Sequence, residues 1–283
     1  MRETKLMHIF TANTATDGDG VHLLRVFGGH RLELFDPFLM LDEFGSKQAD
    51  DYIGGFPSHP HRGFETITYM LKGKMEHRDH MGNVGLLEDG GVQWMTAGSG
   101  VIHSELPKQT KGEMRGFQLW LNLASKDKLQ NPSYEDVPAN KIPIYELGKA
   151  KVKAIAGSLL IEDTLVEGYF NKDTTKPLYL HIELEAGQNL TLAVASELQS
   201  FIYNFDGELE LNGETLNKQE LARFKQAGPI HVKNNNQFSS EFLLIAGKPL
   251  QEPIVQHGPF VMNSQSEIKQ AIRDYQEGKL VQK

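Results

Sequence analysis

Short runs of β-branched, aromatic and aliphatic residues recur along this chain, and glycine, asparagine or aspartate closes them. VHLLRVF (21–27), FETITYMLK (64–72), RGFQLWLNL (115–123), PLYLHIEL (177–184), QSFIYNF (199–205) and SEFLLIAG (240–247) are all of strand length. KGK (72–74), MGN (81–83), EDGG (88–91) and LNGE (211–214) supply turns between such runs. Many short strands with close turn signals predict an all-β sandwich or barrel. Twelve glycines from Gly54 to Gly116 add tight turns and close backbone approach.

A polar stretch with three prolines, QNPSYEDVPANKIP (130–143), divides the chain into comparable halves. Each half holds several strand candidates, so a duplicated barrel is the economical reading. The expected division is 1–130, a linker at 131–143, and 144–283. One helix is marked at about 264–277. Ser264 and Glu267 form a capping box, and Ile268, Ala271, Ile272 and Tyr275 make an apolar stripe. Gly278 stands where a C-terminal cap belongs.

Composition narrows the function. A net charge of −8 argues against a large nucleic-acid footprint. The absence of cysteine removes disulfides, thiolate metal sites and cysteine nucleophiles. No signal-peptide core and no long apolar span is visible, so a cytoplasmic protein off the membrane is expected. A chain that carries two barrels is also expected to be a monomer.

The histidines are concentrated in the first half, eight of eleven lying before residue 104. Two pairs stand out: His59-Pro-His61 and His103-Ser-Glu105. Side chains at i and i+2 of an extended segment point to one face. Each pair therefore offers two ligands to one point, and two such strands facing one lumen supply four. Three imidazoles and a carboxylate suit Fe(II), Ni(II), Cu(II), Mn(II) or Zn(II) and disfavour Mg or Ca. Beyond His61, the odd positions Ile67, Tyr69 and Leu71 form an apolar face suited to an interior, unless Gly63 breaks the register. The second half has no H-x-H, so no metal is expected there.

GGFPSHPHRGFETITYMLKG (54–73) and DGGVQWMTAGSGVIHSE (89–105) resemble the two motifs of the pirin family, within the cupin superfamily. DPFLMLDEF (36–44), FQLWLNL (117–123) and GPFVMNSQSEIKQAIRDYQEGKL (258–280) resemble its other segments. The resemblance implies a bicupin: two stacked antiparallel β-barrels of jelly-roll type with a short C-terminal helix. It places one divalent transition metal in the N-terminal barrel, on His59, His61, His103 and Glu105. Fe(II) is the leading candidate, with Ni, Cu, Mn, Zn or Co as alternatives. Some pirins, bacterial ones among them, have quercetin 2,3-dioxygenase activity. The expected substrates are then a flavonol and O2, with Glu105 taking the proton of the flavonol 3-hydroxyl. Other pirins regulate transcription factors or metabolic enzymes, so a metal-dependent binding protein with a protein partner is the alternative.

General cupins place a ligand at H-x-H-x3-E, which here is Glu65. The pirin pattern favours Glu105 and leaves Glu65 to support a ligand, touch substrate or compete for the metal. Arg62, His77, Phe56, Trp94 and Gln118 are further pocket candidates. Each has a plainer reading: a solvated arginine, an exposed hairpin histidine, or ordinary barrel packing.

Overall fold

In the computed structural model, which describes residues 5–225 and 228–281, the runs read as strands are strands. The glycine and asparagine clusters between them hold left-handed turns, at Gly73, Gly82, Gly90 and Asn212 for example. Contacts divide the chain into two units.

The first unit comprises 13–140 and 250–283. Its seven-stranded sheet runs Ser133–Val137, Val92–Thr96, Phe64–Lys72, Met114–Asn122, Phe38–Ser46, Val21–Gly28, Asn13–Asp17. A four-stranded sheet runs Phe56–His61, Val101–Pro107, Met75–Asp79, Val84–Leu87. All of these pairings are antiparallel. Met114–Asn122 is central and covered on both faces. Phe117, Leu119 and Leu121 are buried on one side, and Gln118 and Trp120 point to the other.

The second unit comprises 1–12 and 141–249. It also has two antiparallel sheets, one of seven strands and one of six. Its interior is filled by aliphatic and aromatic side chains, among them Leu180, Ile182, Leu192, Ile202, Leu244 and Phe224.

The expected boundaries need correction in three places. Lys5–Thr11 pairs with Glu220–Lys225, so the N-terminal strand belongs to the second unit. The expected linker contains Ser133–Val137, which pairs with Val92–Thr96 and extends the first unit's sheet. The segment from Leu250 returns to the first unit, where the buried Asp36 carboxylate accepts from the backbone N–H groups of Leu250 and Gln251 at 3.1 and 2.8 Å.

That returning segment ends in the helix Gln265–Gln276. Ser264 caps the helix by accepting from the Glu267 N–H, and Glu267 reaches back to accept from the Ser264 hydroxyl and from the Asn263 N–H, one residue ahead of the N-cap. Ile268 and Ala271 pack on Phe260, Met262 and Leu280. Gly63 admits the segment: a Cβ there would stand 2.0 Å from the Val261 carbonyl oxygen. Arg62 locks it, donating to Ser99 O at 2.5 Å, Asp274 Oδ2 at 2.6 Å and Leu280 O at 3.4 Å. Arg62 is thus a buried tie to the helix and does not line the cavity. Removing it leaves Asp274 without its cation, and breaking such a pair is costly. Arg62→Ala is expected to lower stability by about 2–4 kcal/mol, read as a lower urea midpoint. An unchanged midpoint would contradict that role.

Candidate metal centre

His59, His61 and His103 converge because two strands pair in one register. Val101 lies opposite His61 and His103 opposite His59, and alternation then turns all three rings to the same face. A bulge follows: Glu105 lies opposite Phe56, so Phe56–His61 spends one residue more than its partner. One ligand atom from each histidine lies within 4.8 Å of the others. Ring centroids are 4.3 Å apart for His59–His103, 4.7 Å for His59–His61 and 4.9 Å for His61–His103. Phe64 and Trp120 flank His61 edge-on at 5.1 and 5.4 Å.

The nitrogens fit a metal. His59 Nδ1 donates to the Pro57 carbonyl at 2.7 Å, which leaves Nε2 as a bare acceptor. His61 Nδ1 and His103 Nε2 are buried without a hydrogen-bond partner. Burial holds both imidazoles well below the usual histidine range, so they are neutral and carry a lone pair. Orphaned buried nitrogens are costly unless something coordinates them. Three neutral imidazoles turned to one point could hold a transition-metal ion.

His77, from Met75–Asp79, is buried and supports this group rather than facing solvent. Its Nδ1 lies 3.4 Å from His103 Nδ1, and its ring stacks on Tyr134 at 5.1 Å. A partner on the second nitrogen of a ligating histidine fixes its tautomer and orientation. His77→Phe keeps the stack and removes the nitrogens. Metal affinity is expected to fall about 10- to 100-fold, read by competition with a chromophoric chelator. An unchanged affinity would show the contact to be idle.

Glu105 is buried and lines the same cavity as His59 and His61, but its carboxylate is outside the three-histidine group. The Thr68 hydroxyl shares its one proton between two acceptors, Gln118 Oε1 at 2.5 Å and Glu105 Oε1 at 3.1 Å. Burial pushes the Glu105 carboxyl up to about 7, and the Thr68 hydroxyl pulls the other way. Glu65 is elsewhere. Gly63, at φ 90°, breaks the strand between His61 and Phe64, and the inward parity changes across it. Thr68 faces the cavity, so Glu65, Ile67 and Tyr69 lie on the opposite face, where Thr96 donates to Glu65 at 2.7 Å. Trp94, in register with Ile67, is on that face too and does not line the cavity.

The cavity has a volume of about 620 Å³. Its apolar wall includes Leu23, Met40, Phe44, Phe56, Met75 and Trp120. Gln118 and Phe56 are among its lining residues. Sequence reading missed Asp17, Arg25 and Asp42, which also line it, and Gln256, Gly258 and Pro259 from the returning segment. Arg25 grips the buried Asp42 through Nε at 3.0 Å and Nη2 at 2.8 Å. Burial pushes the Asp42 carboxyl up, and Arg25 draws it back down.

Two family models match this chain: Pirin over residues 20–121 and the Pirin C-terminal cupin domain over 179–281. The chain belongs to the pirin family. A Pseudomonas aeruginosa relative, provisionally named quercetin 2,3-dioxygenase, is 47% identical over 99% of both chains. The crystal structure of quercetin 2,3-dioxygenase from Acinetobacter baumannii is similar, with a TM-score of 0.89, 31% identity and 99% of each chain covered. The bacterial pirin YhhW from Escherichia coli, in complex with nickel(II), shares the fold at a TM-score of 0.66. It is 19% identical, with 86% of this chain and 99% of that one covered. This chain has the two cupin domains that the resemblance implies, and among the described residues no helix is long and apolar enough to cross a membrane.

Proposed function

We propose that this pirin is a metal-dependent dioxygenase that opens a flavonol such as quercetin with O2. The observation that carries the reading is the group of three unprotonated histidines beside a cavity of about 620 Å³ whose wall also holds Glu105. That volume falls in the range of small-molecule sites, which are mostly apolar with a few placed polar groups. The names of the Pseudomonas and Acinetobacter proteins support the same activity.

His59, His61 and His103 would hold the ion, with Fe(II) as the leading candidate and Ni, Cu, Mn, Zn or Co as alternatives. The bound metal supplies Lewis acidity that favours the flavonol in its deprotonated form. Glu105 takes the 3-hydroxyl proton onto its carboxylate, and Thr68 holds that carboxylate in place. Trp120, Phe44, Phe56 and Met40 receive the flat rings and keep water out.

The test is anaerobic reconstitution with Fe(II), Ni(II), Cu(II), Mn(II), Co(II) or Zn(II), followed by oxygen uptake and carbon monoxide release with quercetin. Turnover with at least one metal is expected. No turnover with any of them would contradict the enzyme reading. Metal-dependent capture of a single transcription factor or metabolic enzyme would then support a regulatory role.

A further inference from the structure

One polar side chain from each of six strands stands in a single row across the seven-stranded sheet of the first unit. The register runs Arg25, Asp42, Gln118, Thr68, Gln93, Asp136. Neighbours bond in pairs: Arg25 with Asp42, Thr68 with Gln118, and Gln93 with Asp136. The first four of the row line the cavity. The rows on either side are apolar where they meet it, Leu23 and Phe44 on one, Met40 and Trp120 on the other. A polar stripe between apolar ones complements a flat aromatic whose oxygens lie along its edge.

The two ends of the stripe differ. Thr68 touches Glu105, two residues from His103, and so marks the metal end. Arg25 and Asp42 mark the other end. Strands about 4.8 Å apart put Asp42 roughly 10 Å from Thr68. A flavonol's 3-hydroxyl and its 4′-hydroxyl are roughly 6 Å apart, and a hydrogen bond of about 2.8 Å at each end extends that reach to the same scale. Arg25 Nη2 also reaches Asp17 at 3.1 Å, while Nη1 makes no hydrogen bond among the described residues. Gln256 Oε1, on the same cavity, is buried and also without a partner. A donor therefore remains free at this end, and an acceptor elsewhere on the cavity wall.

We infer that the Arg25–Asp42 pair is a specificity site, reading hydroxyl groups at the substrate end remote from the metal. This rests on the flavonol reading of the cavity, and it is tested by binding rather than turnover. The metal-reconstituted full chain is titrated anaerobically with quercetin and with galangin, a flavonol lacking ring-B hydroxyls, and tryptophan quenching is followed. Wild type is expected to bind quercetin about 10-fold more tightly, as a hydrogen bond to a charged group allows. Asp42→Asn should bring the ratio close to one. If that variant does not fold, Arg25→Lys, which removes Nη1 but keeps a charge beside Asp42, should reduce the same ratio. Equal binding by wild type, an unchanged ratio in both variants, or no binding of either flavonol would overturn the inference. A quercetin preference without oxygen uptake would sink the dioxygenase reading and leave the specificity site standing.

Discussion

Glu105→Gln is expected to leave a protein that still loads metal but turns quercetin over about 100- to 10,000-fold more slowly, the usual range for a lost proton-transfer group. Glutamine matches the shape of the side chain and can still accept from Thr68, so the buried position is kept. It cannot take up a proton. The carboxylate stands apart from the three histidine donors, which is why loading should survive. Metal content and kcat on the same preparation check this. Loss of metal together with activity would instead make Glu105 the fourth ligand, as its place in the H-x-E pair suggests. Full activity would remove it from the chemistry.

The second large effect belongs to His103. It faces His59 across the strand pair, stands 4.9 Å from His61, and is held from behind by His77. His103→Ala should weaken metal binding by well over the roughly 100-fold that a supporting partner costs. A ligand that binds only the folded chain raises Tm. Metal addition should therefore raise the Tm of wild type and leave that of His103→Ala where it was. A variant that still gains the full metal-dependent increase would show that His103 is not a ligand.

The three histidines were legible because strand alternation is a local rule. His59 and His61, or His103 and Glu105, need only an extended backbone to share a face. The capping box at Ser264 and the cap at Gly278 were legible for the same reason. Parity failed where the backbone broke step. Gly63 resets the alternation, so counting outward from His61 put Ile67 and Tyr69 on the cavity face, and the same change of parity turns Glu65, the cupin-pattern position, away from it. Partners distant in sequence could not be read. Arg25 and Asp42 meet only because Val21–Gly28 and Phe38–Ser46 pair, and a bulge lies one step past them. Gln256 reaches the cavity only because the returning segment docks on Arg62 and Gly63. The exchange of end segments between units was hidden for the same reason, since Lys5–Thr11 has no local feature naming Glu220–Lys225 as its partner.

The central claim is that His59, His61 and His103 hold a transition metal. Elemental analysis of the full chain, grown in ordinary medium and purified without added metal or chelator, tests it most directly. Wild type should carry close to one transition-metal ion per chain, and a variant with all three histidines replaced by alanine should carry none. A wild-type chain with only trace metal, or a triple variant that keeps the wild-type amount, would contradict the account.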